Sequence, residues 1–180
     1  MPTPRTLVAA LAFVVLAGLG SAALPPAPSK HEVLQAISVI EKNVSSPEAT
    51  EAAKTIVIYA QVSEDVLVDI GPEQLPWLDE DWGMDKDREQ GCKSLLLAAF
   101  VAGDVKSQIK NDKAEDDTYS GWIFAIDTYN RLRAKEPFKS PSIEALAKKR
   151  ADGTLLQHAR DVRQKEEQEE QSEEPHRPLA

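Results

Sequence analysis

The residues best suited to chemistry lie in one short segment, residues 77–87 (WLDEDWGMDKD). Aspartates alternate along it: Asp79, Asp81, Asp85 and Asp87. Carboxylate oxygens are the ligands that calcium prefers, so a calcium site is one interpretation of this pattern. An EF-hand loop beginning at Asp79 would need glycine at its sixth position and glutamate at its twelfth, where this chain has Met84 and Gln90. The segment does not match an EF-hand, and a calcium site is kept as a hypothesis.

The same segment supports two further interpretations. In the first, Trp77 and Trp82 are stacking platforms for a sugar, and two acids between them act as general acid and base in a small cell-wall or polysaccharide hydrolase. The candidate acids are Asp79, Glu80 and Asp81. Such carboxylates lie about 5–10 Å apart across a cleft, which adjacent acids in one loop do not establish. In the second, which the pattern favours, the tryptophans pin a surface loop to the helices while its acids face water.

No other segment carries a recognisable catalytic or cofactor-binding motif. The sequence has no G-x-S-x-G elbow, no G-x-x-x-x-G-K-[ST] phosphate loop and no H-E-x-x-H zinc helix. Its three histidines lie in separate segments and do not have the spacing of zinc ligands. Cys92, the one cysteine, lies in an apolar helical pattern and is predicted to be a small buried core residue. We therefore expect a protein that is not an enzyme and that holds no cofactor.

Composition excludes several other classes of protein. The 180 residues carry 21 basic and 30 acidic side chains, a net charge of −9, whereas a nucleic-acid binder usually presents a basic surface to phosphate. One cysteine cannot form an internal disulfide, so the chain is not a disulfide-stapled scaffold. Hydrophobic residues make up 42% of the chain, which is ordinary for a globular domain. We expect the chain to fold around its own core and to have no nucleic-acid partner.

The N-terminus resembles a secretory signal peptide. Arg5 precedes an unbroken apolar run, residues 7–19 (LVAALAFVVLAGL), and small residues follow up to Ala23. The apolar stretch over residues 7–24 just reaches the length of about 18 residues that a helix needs to span a bilayer. A retained membrane anchor is therefore the alternative. The prediction is a signal peptide over residues 1–23, a proline-rich linker over residues 24–28, and a secreted or periplasmic protein with no stable membrane span after cleavage.

The following segment, residues 29–163, is predicted to be one helical domain. Ser29 precedes Glu32 at capping-box spacing, and two Ser-Pro pairs further along suit the first turns of other helices. Apolar residues then recur every three or four positions, and strands do not alternate with helices. The pattern predicts an all-α bundle or a short helical-hairpin array of five to six helices. Residues 164–180 are expected to be a charged C-terminal tail.

One of these helices should lie at the centre of the fold. It is predicted to begin near Asp85 and to end near Lys110, and its residues 95–102 (LLLAAFVA) are apolar on every face, which is typical of an enclosed helix. Gly103 directly after them would let a neighbouring helix approach closely. Ahead of this helix, residues 63–70 are predicted to form an extended connector whose alternate side chains pack against the helices.

Charge is unevenly distributed along the helical domain. Acidic residues dominate residues 64–89, and basic residues dominate residues 131–150. Opposed patches of this kind either steer a partner or neutralise each other within the fold. The sequence predicts an exported, non-enzymatic helical protein that binds another protein or an envelope polymer. Its candidate interface anchors are Trp77, Trp82 and Tyr119, with a basic rim of Arg131, Arg133, Lys135 and Lys139.

Overall fold

The computed structural model describes residues 27–173 and is all-helical over that range, which confirms the predicted fold class. The six helices are α1 (Lys30–Asn43), α2 (Pro47–Val62), α3 (Lys86–Asn111), α4 (Thr118–Arg133), α5 (Pro141–Ala151) and α6 (Leu155–Glu173). No β-strand occurs between residues 27 and 173. The predicted signal peptide, and the first residues of the linker after it, lie outside the described residues.

Polar side chains cap the first turns of four helices: Ser29 for α1, Asp85 for α3, Asp117 for α4 and Ser140 for α5. Ser29 Oγ accepts a hydrogen bond from Glu32 N at 3.2 Å, and Glu32 Oε2 accepts one from Ser29 N at 2.7 Å, which completes the predicted capping box of α1. Asp117 caps α4 through its side chain, and Ser140 caps α5. These bonds satisfy backbone N–H groups that have no acceptor within the first turn of a helix.

Helix α3 is the central element of the fold. It packs against α1, α2 and α4. Leu96 and residues 98–105 are buried, while Leu95 and Leu97 are partly buried and pack against the same core. The apolar middle of this helix is thus enclosed by its neighbours, as its sequence predicted.

Two glycines bring α3 and α4 into close contact. A Cβ atom added to Gly103 would lie 2.7 Å from Phe124 Cβ and closer still to the carbonyl oxygen of Ser120, both on α4. A Cβ atom added to Gly121 of α4 would lie 2.6 Å from the Phe100 ring of α3. The absence of side chains at both positions lets the two backbones approach each other. The close approach predicted at Gly103 is confirmed.

The C-terminal helices α5 and α6 also pack against α4. Helix α6 packs against α4 and α5 and buries Leu155, Ala159 and Val162. The helix continues to Glu173, past the boundary at residue 163 that the loss of apolar residues predicted. Val162 is its last buried apolar residue, and residues 163–168 after it add no buried apolar side chain to the core.

The connector between α2 and α3 contains the candidate site residues. Along residues 66–70, Val66 is buried and Val68 and Ile70 pack against the core, whereas Leu67 is 53% exposed. This alternation of buried and exposed side chains is that of an extended chain with one face on the helices. Residues 63–70 form neither a helix nor a strand, and the predicted packing of alternate side chains against the helices is confirmed for Val66, Val68 and Ile70.

Candidate functional site

The two tryptophans of the acidic segment pack inside the protein. Trp77 is fully buried, and its ring meets that of Phe100 edge-on with the centroids 6.4 Å apart. Trp82 is 8% exposed and stacks on Phe138 with the centroids 5.1 Å apart. Both rings are occupied by contacts within the chain, as a loop pinned to the helices requires. Their assignment as interface anchors does not fit this burial, because neither ring offers a partner much surface.

Glu80 connects the segment to the first turn of α5. Its Oε1 accepts hydrogen bonds from Ser142 N at 2.7 Å and Ser142 Oγ at 2.5 Å, and its Oε2 accepts from Ser140 Oγ at 2.5 Å and Trp82 Nε1 at 3.0 Å. Burial acts to raise the pKa of Glu80, but these hydrogen bonds outweigh it and hold the pKa below its ordinary value. Both carboxylate oxygens are engaged and the group stays ionised. Glu80 is therefore an anion bound at a helix N-terminus.

Lys93 completes the polar cluster around Trp82. Its ammonium lies 2.7 Å from the Glu89 carboxylate and 5.3 Å from the centroid of the Trp82 ring, and it also donates to the carbonyl oxygen of Glu80. Glu89 Oε2 in turn accepts from Trp82 N at 3.2 Å. The Lys93 and Glu89 side chains are only 10% and 14% exposed, so each charge depends on the other for compensation.

Two of the four alternating aspartates, Asp81 and Asp85, accept hydrogen bonds from the local backbone. Asp81 Oδ1 accepts from the backbone N–H two residues on, at 2.8 Å, and Asp85 is the N-cap of α3. Asp79 and Asp87 are exposed. Within the part of the chain that the structure describes, no three carboxylate, imidazole or thiol groups lie close enough together to hold a metal ion. The calcium hypothesis requires several oxygen ligands around one point, and these four aspartates do not provide them here.

Replacing Glu80 by glutamine should lower the free energy of unfolding by about 1–2 kcal/mol, since an amide nitrogen cannot accept the hydrogen bonds that one carboxylate oxygen now accepts. Urea denaturation of wild type and variant measures the loss. Asp79→Asn is the matched control, because that exposed carboxylate should change stability by less than about 0.5 kcal/mol. A loss at Glu80 no larger than the control's would mean that its bonds do not hold the loop on α5.

The basic stretch, residues 131–150, is partly neutralised within the chain. Arg133 lies 2.8 Å from the carboxylate of Glu144, and Arg150 lies 2.6 Å from that of Asp127. These pairs are exposed, so each contributes little to stability. They do reduce the positive charge that the stretch presents to a partner.

The other predicted rim residues lie near the junction of α1 and α4. Arg131 donates to a backbone carbonyl near the end of α1, and Lys135 Nζ lies 3.3 Å from Asn43 Oδ1. Lys139 is exposed, and Tyr119 is partly buried against the core. Of the predicted anchors and rim residues, Trp77 and Trp82 are buried, Arg131 and Lys135 contact the end of α1, and Lys139 is exposed.

Cys92 is half-buried, which corrects its expected place inside the core. Burial raises the pKa of its thiol, and the charge of Glu136 raises it further against the opposing effect of Arg88. Because the thiolate is the reactive form, we expect Cys92 to react with iodoacetamide more slowly in the folded protein than in the urea-unfolded chain at the same pH. Mass spectrometry of quenched samples gives both rates, and equal rates would contradict the raised pKa.

A depression beside the end of α2 was not evident from the sequence. It has a volume of about 400 Å³, and its apolar lining comes from Val62, Val66, Leu67 and Ala114. Val62 is 43% and Leu67 is 53% exposed, so two large apolar side chains face solvent at its edge. A second depression of about 180 Å³ shares Glu64 and Ala114 with the first. Exposed apolar side chains beside a concavity are typical of binding surfaces.

A buried carboxyl pair lies where α3 meets the start of α4. Asp104 is fully buried, and its Oδ1 accepts from Gln108 Nε2 at 2.7 Å and from Asp117 N at 2.9 Å. Its Oδ2 has no hydrogen-bond partner among the described residues. Burial first, and then the charge of Asp116, raise the pKa of Asp104 to about 9. Asp104 is therefore protonated at neutral pH.

Comparison of the chain with protein-family models, with curated proteins and with solved structures finds no match. The function must therefore be argued from the geometry of the chain itself. Between residues 27 and 173, no helix combines the length and the apolar character that crossing a bilayer requires.

Proposed function

We propose that the chain is an exported, non-enzymatic helical protein that acts by binding another macromolecule, either a protein or an envelope polymer. The observation that carries this proposal is the pair of exposed apolar side chains, Val62 and Leu67, at the edge of the depression of about 400 Å³. Exposing them costs hydrophobic free energy that burial against a partner would recover.

The hydrogen bonds of the acidic segment, residues 77–87, support the same proposal. Both carboxylate oxygens of Glu80 accept hydrogen bonds from the start of α5 and from Trp82. The alternative, a small cell-wall or polysaccharide hydrolase, needs a raised pKa on one of two carboxylates that face a common cleft. The pKa of Glu80 is instead lowered. The geometry of this segment fits a structural role better than a catalytic one.

Export is supported by the N-terminal sequence alone. Expression of the full chain in a secreting host should yield a protein whose first residue is Leu24, as N-terminal sequencing of the released protein would show. A chain that stays inside the cell with Met1 in place would contradict export. A membrane-bound chain that keeps residues 1–23 would instead support the retained anchor.

Binding is tested by immobilising residues 24–180 and incubating them with the envelope fraction and culture medium of the producing organism. We expect one macromolecule to be retained at physiological salt in stoichiometric amount. Two results together would overturn the proposal in favour of the hydrolase: no retained macromolecule, and release of soluble fragments from cell-wall polymer that Glu80→Gln abolishes.

A further inference from the structure

Asn43, Val44 and Ser45 form the one Asn-x-Ser/Thr sequon of the chain, the pattern at which an N-linked oligosaccharide is attached to secreted proteins. The middle residue is valine and not proline, which would exclude the site. The chain has two other asparagines, Asn111 and Asn130, and neither is followed two residues later by serine or threonine. All three asparagines are exposed, so the sequon is what sets Asn43 apart from the other two.

The sequon lies at an accessible turn between two helices. Asn43 is the last residue of α1, and Ser46 N donates to its carbonyl oxygen at 3.1 Å in the turn that leads to α2. The side chains of Asn43 and Ser45 are both exposed, whereas Val44 between them is buried. The buried valine therefore fixes the turn on the core, while the amide and the hydroxyl group that define the sequon stay accessible.

The amide nitrogen of Asn43 is available for a new bond. Asn43 Oδ1 accepts a hydrogen bond from Lys135 Nζ at 3.3 Å, and no group within residues 27–173 accepts one from Asn43 Nδ2. A sugar attached to Nδ2 leaves the carbonyl oxygen of the side chain in place, so the bond from Lys135 is compatible with the modification. The side chain thus needs no rearrangement of its existing contact to carry an oligosaccharide.

We propose that Asn43 is the acceptor of an N-linked oligosaccharide, an inference that goes beyond the proposed binding and rests on the proposed export. The donor is an oligosaccharide joined through a diphosphate to a polyisoprenoid lipid, and the catalyst is the oligosaccharyl transferase of the secretory pathway. Asn43 Nδ2 forms a bond to the anomeric carbon of the first sugar and loses one proton. The bond between that carbon and the diphosphate oxygen breaks, and the lipid diphosphate leaves with the electron pair.

The oligosaccharide would stand at the opposite end of α1 from the two depressions. Lys30, the first residue of α1, lines the depression of about 180 Å³, which shares Glu64 and Ala114 with the larger one. Asn43 lies about 20 Å further along the helix axis, given the rise of about 1.5 Å per residue. A bulky, hydrophilic group at Asn43 therefore leaves the exposed apolar side chains of the larger depression open to a partner. It covers instead the surface around Lys135, which contacts Asn43.

The test is expression of two forms of the protein in secreting eukaryotic cells: the full chain, and residues 24–180 behind a signal peptide that these cells cleave. We expect the secreted protein to lose apparent mass on treatment with peptide:N-glycosidase, which converts a modified asparagine to aspartate. Peptide mass spectrometry should locate that conversion at Asn43 and at neither Asn111 nor Asn130. Secreted protein of both forms with Asn43 unmodified would overturn the proposal.

Variants of the sequon separate modification from a change in folding. Asn43→Gln and Ser45→Ala should each abolish the loss of mass, and Ser45→Thr should preserve it, because the sequon requires a hydroxyl residue at that position. Lys113→Thr is the matched control: it gives Asn111, the exposed last residue of α3, the same pattern. A glycan on Asn111 in this variant without one on Asn43, or a glycosidase-sensitive mass that survives Asn43→Gln, would contradict the assignment.

The two forms also separate the acceptor site from the proposed export. A full chain that stays inside the cell with Met1 in place would contradict export by its own N-terminus, while a glycan on Asn43 of the second form would still support the acceptor site. Secretion of the full chain without a glycan would support export and overturn the acceptor site. Secretion of the full chain with a glycan on Asn43 supports both.

Discussion

Gly103→Ala is expected to lower the free energy of unfolding by about 2–3 kcal/mol, because the added methyl group overpacks the contact between α3 and α4. The new Cβ atom would lie 2.7 Å from Phe124 Cβ and closer still to the carbonyl oxygen of Ser120. A backbone carbonyl cannot turn aside as a flexible side chain can, so the helices must move apart. The loss should appear although alanine is the better helix former by about 1 kcal/mol.

Gly91→Ala is the matched control for this experiment. Gly91 lies on the same helix, and a Cβ atom added there meets nothing within 4 Å. Alanine at this position should stabilise the protein by up to about 1 kcal/mol through its helix propensity alone. Urea denaturation curves of the two variants should therefore shift in opposite directions. Equal shifts would show that α3 and α4 are not in close contact at Gly103.

Asp104→Asn is expected to stabilise the protein near pH 8 and to flatten the dependence of its stability on pH. Asparagine keeps an oxygen that accepts from Gln108 and from the backbone N–H of Asp117, which now bind Asp104 Oδ1. Its amide group supplies, at the position of Oδ2, a donor that the carboxyl group supplies only when protonated. The variant reproduces the protonated form of the pair at every pH.

The direction of the effect follows from proton binding. Folding raises the pKa of Asp104 from 3.8 to about 9, so the folded chain holds a proton that the unfolded chain releases between those values. The stability that protonated Asp104 contributes is fully present below pH 3.8 and is lost progressively as the pH rises toward about 9. One such proton changes the free energy of unfolding by about 1.4 kcal/mol per pH unit. From about pH 6 to pH 8 the wild type should lose about 2–3 kcal/mol that the variant keeps.

Other titrating groups act on both proteins alike. Burial raises the pKa of Glu166, which also makes stability fall with rising pH, while burial lowers the pKa of His158, which has the opposite effect near neutral pH. The difference between variant and wild type therefore isolates the buried pair of Asp104 and Asp116 from the other groups, and urea denaturation over a series of buffers measures it. Parallel curves for the two proteins would mean that Asp104 is ionised in the folded state.

Features that depend on local sequence were predictable. The capping box at Ser29, the central position of α3 and the close approach at Gly103 all follow from residue types at short spacing, because the bonds and the packing faces involved are set within one helix. The alternation along residues 63–70 likewise showed which of its side chains face the core. That alternation was also the one sequence signal for the exposed position of Leu67.

Features that depend on distant residues were not predictable in the same way. Nothing next to Trp77 in the sequence indicates whether its ring meets a partner or meets Phe100, which lies on another element. The raised pKa of Asp104 is similar, because it depends first on burial by other elements and then on the charge of Asp116, across the turn between two helices. The depression beside Val62 arises only when the connector folds back on α2 and on the residues after α3.

The bond between Glu80 and α5 has a consequence for how the chain assembles. The acceptor for the first backbone N–H group of α5, that of Ser142, is Glu80, a residue 62 positions earlier, so this helix lacks part of its starting turn until the middle of the chain has arrived. The last two helices therefore cannot form a separate folding unit. We expect both halves of the protein to unfold in one cooperative transition, reported alike by probes placed at either end.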